Sequence, residues 1–444
     1  MRILHTPDAD QSIGQSWTYS DSRDLFGTLR AEYDFTSNIT GWAAFGARRS
    51  EEESIFANPT VNDEYGNYSA YRFDTAREDR VTTGETGVRF QFRTGVIGHK
   101  LSLSGATYEL RSNNAYGMTA STVTGNIYNP TAVAAPSYIL TGGDLDDPSM
   151  TYKTQVKSVA LADQLSMLDE RLLVTLGARY QELKNTDYDY NNGDRLDQYD
   201  DDAVTPTLGV LYRLTPSISV YANYIEGLVR GDTAGQTVPG SGAPVANAGE
   251  SLKPYKTKQE EIGVKFDHDN KLGGSVSVFR SRKPIAGYNA NNEFKVVDDQ
   301  DNTGLELMAY GKPTRNLTVL GGVSLLDADV DGDKAIGSPD TQASFNLEYR
   351  LPQLPDLALD GRVLYTSSQY ADADNTQKVD SWTRLDLGAR YLIMLSDSTF
   401  LTLRGRVENV TGEDYWASAG GYPGASYLTI GAPRTVLVSA TLNF

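Results

Sequence analysis

The chain has 444 residues, no cysteine, 39% hydrophobic residues and a formal net charge of −18. The absence of cysteine excludes disulfide frameworks, thiolate zinc sites, iron–sulfur clusters and cysteine nucleophiles. The negative charge argues against nucleic-acid binding, because phosphate backbones are bound by clusters of lysine and arginine. Only three histidines occur, His5, His99 and His268. They provide few ligands for a histidine metal site and few candidates for the histidine of a Ser–His–Asp hydrolase.

The first 23 residues show no recognisable structural element. Residues 1–4 begin like a signal peptide, but His5, Asp8 and Asp10 follow at once and leave no apolar region. No run in the chain approaches the roughly 18–20 apolar residues of a membrane-spanning helix. We therefore expect residues 1–23 to be an unassigned leader or the remnant of an extracellular loop, without a secretion signal.

Apolar and polar residues alternate with a period of two, in segments of about ten residues that are typical of β-strands. The clearest examples are 25–35, 172–181, 343–351 and 401–408. The polar faces carry full charges of both signs, which a barrel would direct into its lumen. The apolar faces end in aromatic residues, as expected at the two membrane interfaces. A soluble β protein would also alternate, but the number of strands and the aromatic ends favour a transmembrane barrel.

Short turns alternate with long connections along the chain. The expected short turns are 37–38, 95–98, 168–170, 215–216, 268–271, 312–315, 351–355 and 396–398. The expected long connections are 51–78, 111–150, 183–199, 228–254, 284–293, 328–336, 369–379 and 411–431. Short periplasmic turns and long extracellular loops are typical of outer-membrane barrels.

These turns give about seventeen strands in an all-β, antiparallel, up-and-down transmembrane barrel over residues 24–444. The first strand descends from the extracellular side, whereas an exported barrel begins in the periplasm and has an even number of strands. An open sheet would also leave unpaired backbone groups in lipid. The pattern therefore predicts that further strands precede this chain.

The C-terminal strand has a distinctive pattern. Val436, Val438, Ala440 and Leu442 share one face with Phe444, the last residue. An amphipathic final strand that ends in Phe resembles the signal that outer-membrane barrels present to their assembly machinery. We expect Phe444 to serve that purpose.

Four further segments carry a family resemblance. They are residues 252–265 (LKPYKTKQEEIGVK), 304–307 (GLEL), 408–416 (ENVTGEDYW) and 431–434 (GAPR). In this order they resemble the C-terminal part of TonB-dependent siderophore receptors of the ferrichrome/pyoverdine type. Tyr255 stands where that family often has an acidic residue, and Thr303 stands where it usually has Arg. Residues 20–250 resemble only the general barrel pattern.

The resemblance implies a fold of about twenty-two strands, of which about seventeen would be present here. It implies that the plug domain and the TonB-box segment are absent from this chain. The expected function is outer-membrane uptake of ferric siderophores by a truncated receptor, with no catalytic activity and no covalently bound cofactor. The expected partners are a ferric siderophore, outer-membrane lipid, lipopolysaccharide and the barrel-assembly machinery. The TonB complex would engage only the missing N-terminal part, and the receptor is expected to be a monomer.

Ligand contacts are expected from aromatic residues in the long loops, because iron chelates are bulky and partly apolar. The last loop concentrates Tyr415, Trp416, Tyr422 and Tyr427 within thirteen residues. The alternative is that these side chains form an aromatic girdle or brace the loop internally. We select these four as the candidate ligand-binding residues.

One acidic run resembles a calcium loop. Residues 327–333 (DADVDGD) match the first half of an EF-hand loop, but Ser338 stands where the loop requires Glu. A solvated acidic loop is the preferred interpretation, and no metal site is predicted.

The main alternative function is a passive, porin-like outer-membrane channel. Porins have sixteen to eighteen strands, close to the number counted here. The receptor-like segments and the long, uneven loops favour the receptor. The identity of the siderophore does not follow from the sequence.

Overall fold

A computed structural model describes residues 3–119, 122–137, 140–239, 241–269, 271–422 and 425–444, without the side chains of 58, 421–422 and 425–426. The described residues are folded almost entirely into β-strands. The strands are β1 (Tyr19–Thr36), β2 (Ile39–Val61), β3 (Asn67–Thr94), β4 (Ile97–Met118), β5 (Val123–Asn126), β6 (Leu140–Gly142), β7 (Met150–Met167), β8 (Leu172–Tyr188), β9 (Arg195–Thr215), β10 (Ile218–Val229), β11 (Tyr255–His268), β12 (Leu272–Tyr288), β13 (Phe294–Gly311), β14 (Leu317–Val330), β15 (Asp333–Lys334), β16 (Thr341–Leu351), β17 (Leu354–Thr366), β18 (Gln369–Tyr370), β19 (Lys378–Val379), β20 (Trp382–Met394), β21 (Phe400–Glu408), β22 (Trp416–Tyr422), β23 (Ala425–Ile430) and β24 (Thr435–Asn443). In the part of the chain that is described, no helix is long and apolar enough to cross a membrane.

Seventeen of these strands are long, and in the described chain each pairs antiparallel with the next long strand. The short strands β5, β6 and β15 add to the same sheet, which therefore has 20 strands. Within the described residues, β1 pairs only with β2 and β24 pairs only with β21. The predicted up-and-down order and the predicted strand number are confirmed, and the sheet formed by the described residues has two free edges.

All eight expected short turns connect neighbouring long strands at one end of the sheet, which we call the turn end. The opposite end, with the long connections, is called the loop end. Several loops are shorter than predicted. Residues 51–78, for example, belong mostly to β2 and β3, and only 62–66 separate these strands.

Strands β2 and β3 continue beyond their segments of alternating apolar residues. Ion pairs between charged side chains replace apolar contacts at the start of this extension. Arg49 lies 2.8 Å from Glu51 on its own strand and 3.8 Å from Glu78 on β3. Backbone pairing runs from Arg49↔Arg80 up to Val61↔Tyr68. Residues 49–53 are polar on both faces, so the hydrophobic alternation that marks a strand in the sequence disappears there while the ladder continues.

Large apolar side chains lie on the outside of the sheet rather than in a core. In β16, Phe345, Leu347 and Tyr349 share one face and remain about half exposed. The opposite face of the same strands carries charged residues such as Glu348, which pairs with Arg390 at 2.7 Å. An exposed apolar face of this extent is expected where the surroundings are lipid instead of water.

Buried apolar clusters occur at the loop end. One contains Tyr68, Ala70 and Ile127, a second contains Ala234, Val245 and Phe294, and a third contains Ala371, Val379 and Ala419. The loops are therefore packed against each other and positioned by apolar contacts of their own.

The N-terminal segment, residues 3–18, lies across this loop end. Strand β1 begins at Tyr19, before the expected position near residue 24. Leu4 and Ile13 pack against the first cluster, and Ile3 packs against the third. The segment therefore contacts loops from the beginning and from the end of the sheet.

Candidate functional site

A cavity of about 800 Å³ opens at the loop end. It is lined by residues 3–6, Glu64, Tyr128, 376–381 and 413–416. The walls thus come from the N-terminal segment, the β2–β3 loop, the loop after β5, the β18–β20 region and the last loop. The volume is in the range of small-molecule sites in proteins.

The N-terminal segment is fixed to the cavity by three hydrogen bonds. The indole Nε1 of Trp416 donates to the carbonyl oxygen of Leu4 at 2.9 Å. The Tyr128 hydroxyl donates to the carbonyl oxygen of His5 at 2.9 Å, and the amide of Ala9 donates to Oδ1 of Asp414 at 3.0 Å. These contacts connect the two sides of the cavity, and burial raises the pKa of the Tyr128 phenol.

Asn409 organises the start of the last loop. It is buried with a positive φ of 52°, a conformation that Asn tolerates better than most residues. Its amide Nδ2 donates to the carbonyl oxygens of Glu413 at 2.9 Å and Ala432 at 3.2 Å, and its Oδ1 accepts from the Glu413 amide at 2.9 Å. One side chain therefore holds both ends of the loop that carries Tyr415 and Trp416.

The ring of Tyr415 is clamped beneath the cavity. It lies 4.5 Å from the ring of Trp382, centroid to centroid. Gly431 also packs against this ring, where a Cβ atom would overlap it, and the Gly431 amide donates to the Tyr415 carbonyl oxygen at 2.8 Å. The resemblance segments 408–416 and 431–434 thus meet around one tyrosine.

A charged network lies below this loop on the polar face of the sheet. Asp386 is fully buried and its carboxylate accepts from Arg362 Nε at 2.7 Å and from the Asn409 amide at 2.8 Å. Arg384 lies 3.0 Å from the same carboxylate, and Arg362 also reaches Glu408 at 2.8 Å. The network joins β17, β20 and β21 and supports the loop from beneath.

The charged groups lining the cavity are mostly acidic. Glu64, Asp380, Glu413 and Asp414 contribute carboxylates, whereas Lys378 contributes the one ammonium group among the described lining residues. The Lys378 ammonium lies 5.1 Å from the centroid of the Tyr370 ring. Among the residues that the structure describes, none of the four carboxylates has a Lys, Arg or His nitrogen within 4.0 Å.

The structure brings two of the four candidate ligand-binding residues to the cavity. Tyr415 and Trp416 line it. Tyr427 lies on β23, paired with Gly420 and 62% exposed, and is absent from the lining. The side chain of Tyr422 lies outside the described residues. Phe444 follows β24 and is 97% exposed.

Several lining residues could not be found from the sequence. Tyr128 and Asp380 lie in loops without a motif, Lys378 lies on the two-residue strand β19, and residues 3–6 fall in the segment expected to be a leader. Tyr128 and Lys378 fall in predicted long connections, a position that many residues share, whereas Asp380 lies just beyond the predicted connection 369–379. They meet only because the N-terminal segment crosses the loop end.

The acidic run 327–333 forms a hairpin turn. Val330 pairs with Asp333, and the intervening Asp331 and Gly332 have φ values of 55° and 88°, as in a type I′ turn. The Lys334 ammonium lies 2.7 Å from Asp327 and 2.9 Å from Asp340, and these hydrogen bonds raise its pKa. No group of three or more metal-ligating side chains occurs in the part of the chain described.

Tyr255 braces a different loop. Its hydroxyl donates to Asp232 Oδ2 at 3.1 Å and accepts from the Asp232 amide at 3.2 Å. Burial raises the pKa of Tyr255 to about 12. The residue that departs from the family pattern therefore anchors the loop before β11 through its hydroxyl.

The model of the "TonB dependent receptor-like, beta-barrel" family matches residues 4–410. This chain belongs to the TonB-dependent receptor β-barrel family. The family consists of transport receptors that are outer-membrane β-barrels. The predicted family and the predicted all-β receptor-barrel fold are confirmed.

Three similar proteins place the chain within this family. The ferrichrome receptor FcuA of Yersinia enterocolitica is 34% identical, and the match covers 100% of this chain and 58% of that protein. The ferrioxamine B receptor of Salmonella typhimurium is 24% identical over 79% of this chain and 48% of its own length. The crystal structure of BauA, the ferric preacinetobactin receptor from Acinetobacter baumannii, superposes with a TM-score of 0.87 at 29% identity, covering 100% of this chain and 66% of that one. The chain thus spans about half to two thirds of the length of these TonB-dependent receptors.

Proposed function

We propose that this chain forms the wall and the ligand-binding loops of an outer-membrane receptor for TonB-dependent uptake of ferric siderophores. The observation that carries the proposal is the aromatic cavity of about 800 Å³ at the loop end of a receptor-type sheet. Ligand sites for bulky, partly apolar molecules combine aromatic walls with a few polar groups. The relatives named as ferrichrome and ferrioxamine B receptors support the same class of ligand.

Within this proposal Tyr415 and Trp416 contact the siderophore directly. Tyr128 forms the opposite wall of the same cavity. Tyr422 and Tyr427 belong to the hairpin that rises from Trp416, so we assign them to contacts with the ligand during its approach. The ferric ion arrives inside its chelate and is cargo, so the protein supplies no metal ligands.

The unpaired edges of the sheet support a barrel with more strands than this chain contains. The outer edges of β1 and β24 are unpaired in the described chain, and each unsatisfied backbone group in lipid costs several kcal/mol. We propose that strands outside these 444 residues close the barrel, to about twenty-two strands, and that a plug and TonB-contacting segment belong to the same outside part. A closed barrel of this kind needs no second copy, which supports a monomer surrounded by lipid and lipopolysaccharide.

Phe444 supports the proposed route to the outer membrane. It ends an amphipathic strand at an unpaired edge and is exposed, so its ring is available to the barrel-assembly machinery. Removing Phe444 should reduce the amount of folded chain in the outer membrane without changing ligand affinity.

The test is direct binding to the chain in detergent micelles. Saturable quenching of tryptophan fluorescence by ferric trihydroxamates is expected, because Trp416 lines the cavity. Trp416→Ala should reduce the affinity at least tenfold, whereas Tyr65→Ala, at an exposed loop position outside the lining, should not. Absence of saturable quenching by any ferric siderophore, together with steady ion conductance in planar bilayers, would favour the passive channel instead.

A further inference from the structure

The side chain of Tyr415 is held partly by a residue outside the cavity. Tyr415 lines the cavity, but it is only 6% exposed, and its ring packs against Trp382 and Gly431. Its hydroxyl forms a side-chain hydrogen bond with the guanidinium of Arg384 on the polar face of the sheet. Arg384 is absent from the described lining of the cavity. One wall of the cavity is therefore anchored from the polar face of β20.

The Arg384 guanidinium contacts three acceptors at once. Its Nη2 donates to Asp386 Oδ2 at 3.1 Å, and its Nε lies 3.0 Å from Asp386 Oδ1. The same Nη2 lies 3.5 Å from Glu408 Oε2, and the Tyr415 hydroxyl is the third partner. Arginine presents five N–H donors in a rigid, planar fork. A single side chain can therefore join two carboxylates and a phenol that lie in different directions.

The position of Arg384 is fixed by the charged network around it. Asp386, two residues further along β20, is fully buried and also accepts from Arg362 Nε at 2.7 Å and from the Asn409 amide at 2.8 Å. Only 13% of the Arg384 side chain is exposed. A guanidinium that is already held in place loses little further freedom when it binds a hydroxyl. Its contact with Tyr415 is therefore preorganised.

The position of the Tyr415 ring matters because a bulky ligand is held by many weak contacts. A gap of about 0.5–1 Å between facing atoms forfeits roughly a quarter to a half of their attraction. Asn409 holds the backbone at both ends of the last loop, whereas Arg384 binds the side chain of Tyr415. Loss of Arg384 therefore frees the hydroxyl end of the ring while the loop backbone keeps its own hydrogen bonds.

We propose that Arg384 is a positioning residue for the cavity, which fixes the Tyr415 side chain against the ligand without touching the ligand itself. This inference rests on the proposed function, because it assigns a role in siderophore binding to a residue outside the same site. Arginine is required, since a lysine would keep the positive charge beside Asp386 but lacks the fork that also reaches Tyr415.

The first test compares affinity with stability in variants of Arg384. Affinity for ferrichrome is measured on the full chain in micelles by tryptophan fluorescence quenching, and stability by denaturant titration. Arg384→Gln should weaken binding about tenfold. Arg384→Lys should restore the denaturant midpoint, because the charge beside Asp386 is kept, but should not restore the affinity. A merely structural role would restore both together.

Arg390→Gln is the matched control. Arg390 lies on the same face of β20, six residues and about 20 Å nearer the turn end. It pairs with Glu348 at 2.7 Å and is absent from the described cavity lining. The substitution removes a comparable ion pair, so it should lower the denaturant midpoint while the affinity for ferrichrome stays at the native value.

A double-mutant cycle tests whether Arg384 acts through the Tyr415 hydroxyl. Tyr415→Phe removes that hydroxyl and keeps the ring, so it should weaken binding by a factor similar to that of Arg384→Gln. The double variant should bind no more weakly than either single variant, because both substitutions break the same contact. Independent effects would multiply instead. If Arg384→Gln does not fold, Arg384→Lys takes its place in the cycle.

The outcomes separate this inference from the proposed function. Native affinity in Arg384→Gln overturns the positioning role and leaves siderophore binding intact. Effects that multiply in the double variant also overturn it, and so does full affinity in Arg384→Lys. Failure of the native chain to bind ferrichrome, ferrioxamine B or any other ferric siderophore refutes the proposed function itself, and the positioning role with it.

Discussion

Trp416 donates a hydrogen bond from its indole Nε1 to the carbonyl oxygen of Leu4, 2.9 Å away and 412 residues earlier in the chain. This contact joins the N-terminal segment to the last loop and closes one side of the cavity. The two residues lie on opposite halves of the sequence, so the cavity depends on the long-range arrangement of the loops.

Trp416→Phe should loosen the N-terminal segment while leaving the sheet intact. The substitution keeps most of the ring packing and removes a hydrogen bond with a net value of about 1 kcal/mol. We expect residues 3–18 to exchange amide hydrogens several-fold faster, measured by mass spectrometry in micelles. Trp42→Phe is the control, because Trp42 donates to Glu85 at 2.7 Å on the sheet. Equal exchange of the segment in Trp416→Phe and the native chain would contradict the assigned contact.

Asp386→Ala should be strongly destabilising. The carboxylate is fully buried between Arg362, Arg384 and the Asn409 amide, and its removal leaves two largely buried guanidinium groups with Glu408 as their one remaining carboxylate partner among the described residues. We expect a loss of about 3–5 kcal/mol in the free energy of unfolding, measured by denaturant titration in micelles. Asp340→Ala, which breaks a more exposed ion pair with Lys334, should shift the midpoint much less. Similar losses in both variants would show that burial of Asp386 does not govern stability.

Titration of Tyr255 should occur far above that of ordinary tyrosines. Burial raises its pKa from 10.0 to about 12 in the folded chain, so folding favours the neutral phenol. This stabilisation is complete below about pH 10 and is lost as the pH rises through about 12. The difference in phenolate absorbance between the native chain and Tyr255→Phe should therefore develop near pH 12. A difference signal centred near pH 10 would contradict the burial of this hydroxyl.

Calcium should not stabilise the 327–333 hairpin. Lys334 already occupies the position between Asp327 and Asp340, and Asp331 and Gly332 form the turn. Adding calcium should leave the thermal midpoint unchanged. Gly332→Ala should cost roughly 1–2 kcal/mol, because its φ of 88° is unfavourable for a residue with a Cβ. A midpoint that rises with calcium and loses this rise in Asp331→Asn would restore the calcium interpretation.

The sheet was largely predictable because its signals are local. The turn at residues 37–38 follows from Ser-Asn between two alternating segments, and the pairing of Thr36 with Ile39 is the result. The extension of β2 and β3 past Arg49 was not predictable from alternation, since ion pairs between charged residues maintain the ladder there. The number of strands could be counted from the turns in the sequence. The length of each strand could not, because backbone pairing continues beyond the apolar face.

The candidate site was predictable only in part. Tyr415 and Trp416 stood out as aromatic residues in a long loop, and they line the cavity. Lys378 and Asp380 carry no such signal, because they reach the cavity through the packing of Val379 against Ala371 and Ala419. Residues 3–6 reach it by crossing the whole loop end, a contact between distant parts of the chain that no local pattern encodes.

The N-terminal segment crosses the loop end, so the sheet and the cavity differ in which parts of the chain they require. The sheet can grow by adding one strand at a time to its neighbour, since each pairing is between successive long strands. The cavity wall requires Leu4 and Trp416 together, and therefore waits for synthesis of the last hairpin. The cavity at the loop end is thus a joint product of the two ends of the chain, whereas each strand pairing of the sheet needs only neighbouring strands.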